Sequence, residues 1–465
     1  MGTLKKIVMA GLIIYALFYL IQSFIIIKFP YQISYPEGFI LYQSYLISKG
    51  VSIYRAINEY PYLVINYPPV YQFLCAFFVK LFGVSFAFGR LITFLASIII
   101  TYIIYKILKE KTVREIGVIS ALLFVSSSYI YKNNPFFRVD MLGLCFSLLG
   151  IYLFLRKNKL LITAIFFVAA LYTKPTFISA PLAVMIYLFL TKRKRAFTFI
   201  ACLVPLYAVI FFLINYFTQG EFYRHNFLYN MNIFIFKQLA KYYTWFLHNH
   251  AILILFSLIF MILSVSEKKY SLYVIYFIIS TVVALSVGKI GANMNYFFET
   301  IAVSCILTGL AINRLREIIR DEKTSTLLIN SALLTQLLLF IHIPLVTEPA
   351  ITINDLKNSK LLSEVVCNTD GKIISEDAGL LVLNNKPVLF MPFEFTQLAN
   401  QKIWDQTRFL NDIKHSDFSL IILSFDLHCQ VDAERLTPAM VKAIKENYYI
   451  NQTIGEYFLY YPLPR

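Results

Sequence analysis

The sequence predicts an all-α polytopic membrane protein with a small α/β domain at its C-terminal end. Three observations carry this prediction. Of 465 residues, 58% are hydrophobic, 17% aromatic and only 15% charged, whereas a soluble domain has about 25% charged and about 45–50% apolar residues. Apolar runs recur between residues 7 and 345 with basic clusters between them. Beyond residue 345 the apolar runs shrink to strand length and alternate with helical patterns, the mark of a small α/β unit.

A spanning helix needs about 20 mostly apolar residues. Eleven candidates follow: 7–27, 86–108, 114–132, 140–155, 160–173, 176–191, 196–217, 250–265, 270–287, 296–313 and 325–345. The first follows Lys5 and Lys6. It is longer than a signal-peptide core and lacks a small-residue cleavage site, so it is expected to remain as a span. Lys and Arg favour cytoplasmic loops. The clusters are Lys5/Lys6, Lys106 to Arg114, Arg156/Lys157/Lys159, Lys192 to Arg195, Lys268/Lys269 and Arg314 to Lys323. All fall on one side only if the short run from Pro69 to Gly83, which contains Lys80, does not cross. That run is therefore predicted to lie at the interface or re-enter.

The segments left outside are 28–85, 133–139, the turn around Lys174, 218–249, 288–295, and 346 to the end. Loops as long as 28–85 usually carry function, and within this one 38–49 and 69–83 read as helices along the membrane. Two domains result: a transmembrane domain over 1–345 and an extracytoplasmic α/β domain over 346–465. In the tail, strands are expected at Lys372–Ser375, Pro387–Phe390, Ser419–Ser424 and Tyr457–Tyr461, with helical patterns at 397–413 and 436–447.

Several functions are excluded. The net charge of +16 resembles the footprint of nucleic-acid binding, but the basic residues are short clusters between apolar runs, the signature of membrane orientation. Four of six cysteines, Cys75, Cys145, Cys202 and Cys305, lie in apolar segments, where thiols act as small hydrophobes. Cys367 and Cys429 fall in the tail, where an oxidising compartment would permit a disulfide. The outer-side histidines His225, His248, His250 and His342 lack metal-binding spacing. There is no P-loop, no dinucleotide fingerprint and no GxSxG elbow.

The candidate site residues gather near one rim. Glu37, in YPEG, is either a general base at the membrane surface or a loop acid favoured at a helix start. Arg138 and Asp140, in FFRVD, either neutralise each other or act as a phosphate ligand and a second active-site acid. Lys174 in YTKPT, Arg90 and Lys289 are either snorkelling cations or clamps on an anionic headgroup. Asn295 and Glu299, four apart in GKIGANMNYFFE, share a helical face if that helix begins early. With Tyr67 they complete the set as candidate substrate-binding residues.

The run YPEGFILYQSYLISKGVSIYR, followed by NYPPVYQFL and LFGVSFAFGRLITFLA, resembles the GT-C superfamily of membrane glycosyltransferases. The likeness is to the bacterial and archaeal branch related to protein O-mannosyltransferases and lipid A aminoarabinose transferases. RVDMLGLCFSLLGIYLF, ALYTKPTFISAPLA, GKIGANMNYFFE and the tail's IISEDAGLLVLNNKPVLFMPFEFTQLA fit the same branch in the same order. The resemblance implies a GT-C-like fold and an inverting transfer of a sugar from a polyprenyl-phosphate donor to a glycan, lipid or protein acceptor outside the cytoplasm. It matches Glu37 and Asp140 to the superfamily's acids. Lys174, Arg138 and Arg90 match the donor-phosphate cations, with Lys289 as a further candidate. It implies no cofactor, because members using monophosphate donors generally need no metal. Two departures are visible: Glu37 stands where many relatives carry Asp, and Pro175 follows Lys174 where a polar residue is common. The alternative is a polytopic transporter or lipid flippase. Transporters place ionisable groups near the bilayer midplane, whereas the charges here gather at the rim.

The shared sidedness of the basic clusters predicts that Lys192 to Arg195 face the cytoplasm and residues 346–465 do not. In intact cells a cysteine introduced into the tail should react with an impermeant thiol reagent. Labelling only after permeabilisation would overturn the topology.

Overall fold

The computed structural model describes residues 2–133, 135–157, 159–340, 351–429 and 432–464. Every predicted span is helical. The helices are Gly2–Lys28, Phe86–Lys109, Arg114–Ser126 with Ser128–Asn133, Asp140–Lys157, Leu160–Leu171, Ser179–Thr191, Arg193–Phe217, Ala251–Ser266, Leu272–Val283, Phe298–Ile318 and Glu322–Leu339. Among the described residues, four helical stretches are by themselves long and apolar enough to cross a membrane: Gly2–Lys28, Phe86–Lys109, Arg193–Phe217 and Met294–Ile318. The end of the last predicted span and the predicted domain boundary lie outside the described residues. Buried aliphatic and aromatic side chains fill the bundle interior, with Phe298–Ile318 at its centre: Phe298 through Ile312 are all buried. Leu213, Phe212 and Phe217 on Arg193–Phe217 are exposed, as expected of a lipid-facing helix.

Two helices lie in the first loop, Tyr35–Ser48 and Val70–Phe82. The second has 13 residues, which at 1.5 Å rise is about 20 Å, short of a hydrocarbon core of about 30 Å. Phe73, Phe77, Leu81 and Phe82 on it are exposed while Tyr71, Cys75 and Val79 are buried, so it is amphipathic. A helix not foreseen, Phe236–Asn249, meets Ala251–Ser266 at 84° and carries Lys237 and Lys241.

The tail forms a four-stranded sheet in the order β1-β2-β4-β3, with β1 Lys372–Ser375, β2 Phe418–Leu423, β3 Tyr448–Ile454 and β4 Tyr457–Pro462. β1 and β2 are parallel, and the β2–β4 and β3–β4 pairs are antiparallel. Three predicted strands are present. Pro387–Phe390 is not one: it makes a single bridge, Phe390 to Tyr62 of the first loop. β3 was missed because YYINQTI alternates into solvent along an edge. The predicted helix 397–413 is two helices, Pro392–Asn400 and Thr407–Lys414. Cys367 and Cys429 are both free and exposed.

The tail does not have a core of its own. Phe390, Phe395 and Trp404 pack in one continuous buried cluster with Tyr62, Tyr71, Phe86 and Phe137. The two approach tightly at Gly38, where an added Cβ would stand 2.1 Å from Gln32 Oε1 and 2.3 Å from the Gly379 nitrogen. Gly38→Ala should therefore cost about 1–3 kcal/mol by overpacking and speed proteolytic release of the tail. Unchanged protease resistance would contradict this packing.

Candidate active site

Two buried charge clusters underlie the site. In the first, Glu37 sits at the third position of helix Tyr35–Ser48, where its Oε2 accepts from the Ser34 and Ile33 amides at 3.2 and 2.8 Å. Arg90, one turn into helix Phe86–Lys109, donates to both its oxygens, Nε to Oε1 at 3.0 Å and Nη2 to Oε2 at 2.8 Å. The Phe137 amide donates to Oε1 at 2.6 Å. Arg90 spends its remaining N–H groups on the carbonyls of Ile26, Phe29 and Tyr31 at 2.9, 2.6 and 2.7 Å. A guanidinium has five donors, and all five are used. Burial opposes ionisation of Glu37, but Arg90 and the backbone amides outweigh it and hold the carboxyl below the usual carboxylate range. Both side chains are 0% exposed. The residue expected to remove a proton and one of those expected to bind donor phosphate thus form a buried ion pair, in which all five N–H groups of Arg90 are engaged.

The second cluster centres on Asp140, at the start of helix Asp140–Lys157. Its Oδ1 accepts from Lys174 Nζ at 2.7 Å and from Asn295 Nδ2 at 2.8 Å, and its Oδ2 lies 3.4 Å from Arg138 Nε. Lys174 also stands over the rings of Tyr296 and Tyr67, 4.3 and 5.8 Å from their centroids. Burial pulls the ammonium down, and Asp140 more than compensates, so Lys174 stays above its ordinary range. Glu299 lies deeper, accepting from Tyr276 Oη at 2.7 Å.

Above this cluster is a cavity of about 680 Å³ between the bundle and the tail. Arg138, Tyr67, Tyr296 and Lys289 line it, and Lys237 and Lys241 join them. The tail supplies Glu394, Glu434 and Arg435. Lys289 donates to the Asn230 carbonyl at 2.8 Å; burial and the neighbouring Lys174 lower it. Of the residues singled out in the sequence, Arg138, Tyr67 and Lys289 reach this cavity. Asp140, Lys174 and Asn295 form the layer beneath it, and Glu299 is in the bundle core. Both nitrogens of His225 are engaged, by the Ile65 amide and the Arg55 carbonyl, and those of His250 by Ser127 and Phe246. Among the described residues no three His, Cys, Asp or Glu side chains stand together as metal ligands.

The same arrangement of bundle and tail recurs in known structures. The chain superposes on ArnT from Cupriavidus metallidurans bound to undecaprenyl phosphate with a TM-score of 0.64, at 12% identity, over 96% of this chain and 97% of that one. The apo form of that protein gives 0.62 over the same shares, again at 12% identity. The fold is that of the GT-C glycosyltransferases. A third GT-C structure, the archaeal oligosaccharyltransferase AglB from Archaeoglobus fulgidus in complex with an inhibitory peptide and a dolichol-phosphate, matches at 0.57 and 12% identity, over 99% of this chain and 74% of that one. Residues 66–217 match the dolichyl-phosphate-mannose-protein mannosyltransferase family. No curated protein matches the sequence. The GT-C likeness read from the sequence motifs therefore holds.

Lys237, Lys241, Glu394 and Arg435 were missed. The Lys237/Lys241 pair had a legible signal, since its i,i+4 spacing puts both on one face of an amphipathic helix. Glu394 and Arg435 had none, because only the tertiary fold brings the tail over the first loop.

Removing one member of a buried ion pair costs about 3–5 kcal/mol. Glu37→Gln and Arg90→Met should each lower thermal stability in detergent by that order. The double variant should lose less than the sum, because the two side chains are in contact. Strict additivity, or a wild-type melting temperature for either single variant, would contradict the structural role.

Proposed function

We propose that this chain is a membrane glycosyltransferase that moves a sugar from a polyprenyl-phosphate donor to an acceptor outside the cytoplasm. One observation carries the reading. The cavity wall holds Arg138, Lys237, Lys241 and Lys289, and its lining residues Asn230, Asn232, Ile235 and Lys237 alternate in sequence with Met231, Ile233 and Phe236, which are exposed. A cationic pocket flanked in sequence by exposed apolar side chains suits an amphiphile with an anionic head and a hydrocarbon tail. The names of the structural neighbours, which include complexes with undecaprenyl phosphate and dolichol-phosphate, support the same ligand class. The sidedness of the basic clusters supports a cavity and a tail that lie outside the cytoplasm.

The chemistry follows from that placement. As the bond between the sugar and the donor phosphate breaks, negative charge builds on the departing lipid phosphate. Fixed cations stabilise such charge without reorganising, and Arg138 and Lys289 are placed to do so. Asp140 orients Arg138 through its Oδ2 and holds Lys174 beneath the Tyr67 and Tyr296 floor, adding positive potential from below. A single displacement by the acceptor inverts the anomeric centre.

A hydrogen bond to a charged group contributes about 1.5–3 kcal/mol, which is about tenfold or more in affinity. Arg138→Ala and Lys289→Ala should each weaken binding of undecaprenyl phosphate to the purified protein by that factor. Lys174→Ala should weaken it less while lowering stability, because it leaves Asp140 short of its nearest cation. Affinity unchanged in all three variants would sink the donor-site assignment.

A further inference from the structure

The cavity has two unlike walls. The bundle wall carries the cations Arg138, Lys237, Lys241 and Lys289, and the tail wall carries two carboxylates, Glu394 and Glu434, with Arg435 beside them. Of these, Glu434 is exposed, while Glu394 is held in place from several directions. It stands in the first turn of helix Pro392–Asn400, and the chain leading into that helix is pinned to the first loop. Tyr62 N donates to Leu389 O at 2.8 Å, and Met391 N to Tyr62 O at 3.1 Å. Phe393 N donates to Tyr35 Oη at 3.2 Å, and Asn66 Nδ2 to Glu394 Oε1 at 3.1 Å.

A carboxylate at the third position of a helix commonly closes back on the N-cap amide. Glu37 does this in its own helix, but Glu394 cannot, because the Met391 amide is already given to Tyr62. Its second oxygen, Oε2, is buried and has no hydrogen-bond partner elsewhere among the described residues. Buried polar atoms in native proteins nearly always have partners; on this cavity's lining Glu394 Oε2 and Arg435 Nη1 are the two without a hydrogen-bond partner among the described residues, which marks the Glu394–Arg435 corner as the place where a ligand's polar groups would be met. Glu37 and Asp140, the acids legible in the sequence, do not line the cavity.

We propose that Glu394 is a catalytic residue of the sugar transfer, the base that takes the proton from the acceptor's nucleophilic hydroxyl. The proposal rests on the transferase reading. In the step, the acceptor oxygen forms a bond to the anomeric carbon as the bond from that carbon to the donor phosphate oxygen breaks. The electron pair of the broken bond leaves with the polyprenyl phosphate, facing Arg138 and Lys289. The acceptor proton passes to the Glu394 carboxylate, turning it into the acid, and then to solvent. The acceptor therefore enters from the tail wall and the donor from the bundle wall.

The electrostatic setting fits a base working near neutrality. Burial raises the carboxyl, and its helix-start amide, Arg435 and the Asn66 hydrogen bond offset this only in part, leaving it at about 7. Arg435 and Tyr35 are the other ionisable groups against it, the guanidinium 3.4 Å from the Tyr35 ring centroid. Lys237, Lys241 and Lys289 stand elsewhere on the cavity wall. A base is active when deprotonated, so turnover should rise with pH through about 7.

The test uses the full chain in proteoliposomes, with undecaprenyl-phosphate-linked radiolabelled hexoses and pentoses as donors. Membranes from cells lacking the chain serve as acceptor, and binding of undecaprenyl phosphate is measured in parallel. Glu394→Gln keeps the oxygen that Asn66 holds but cannot take a proton. It should lower kcat by about 10²–10⁴, leave the affinity for undecaprenyl phosphate within threefold of wild type, and lose the rise of rate through neutral pH. Glu394→Asp, should Gln prove poorly folded, should keep that rise at a reduced rate. An active wild type with Glu394→Gln equally active and the same pH profile overturns this proposal alone. A wild type that releases sugar from none of these donors overturns the transferase reading and the proposal with it.

Discussion

The ion pair between Glu37 and Arg90 is the joint through which the first loop, two of the bundle's helices and the second loop are registered against one another. Through Arg90 it holds the end of the first helix at Ile26 and Phe29 and the connector at Tyr31. Through Glu37 it holds the start of the surface helix and, at Phe137, the second loop. Phe137 immediately precedes Arg138, so the same contact sets where the cavity's central cation emerges. A buried charge pair is costly to desolvate. Here the cost is offset by complete hydrogen bonding on both sides, and the gain is a fixed relation among segments that no single helix connects.

This joint also explains why the two acids that stand out in the sequence differ in use. Glu37 is surrounded by donors and stays ionised as part of the scaffold. Asp140 is surrounded by Lys174, Arg138 and Asn295 and acts on them. Cations that a lipid phosphate could meet are then those left over on the cavity wall. The tail closes this wall by pairing Tyr62 with Leu389 and Met391 and by sharing one hydrophobic cluster with the first loop. It is thus a built part of the pocket and carries Glu394, the carboxyl proposed to act on the acceptor.

Much of the architecture was legible because hydrophobic length and charge are local properties of the chain. Runs such as 86–108 and 196–217 announce themselves, and the short apolar run with Lys80 is a helix of 13 residues, Val70–Phe82. Motifs held Arg138, Tyr67 and Lys289 in order, and these do line the cavity. What could not be read was the burial of Arg90 and Glu37 against each other, since nothing local says that a guanidinium one turn into an apolar helix will find three loose carbonyls and a carboxylate. Edge strand β3 was hidden by its polar alternation. Glu394 was hidden by its position at a helix start, where an acid needs no further reason.

The account stands on a lipid phosphate occupying the cation-lined cavity. The most direct measurement is a structure of the full chain with undecaprenyl phosphate in a lipid nanodisc. The account requires phosphate density within hydrogen-bonding reach of Arg138 and Lys289, with the prenyl chain leaving past Met231 and Phe236 and the Glu37–Arg90 pair intact. Phosphate density against Arg90, with that pair broken, or a prenyl phosphate bound away from the cavity, would contradict it.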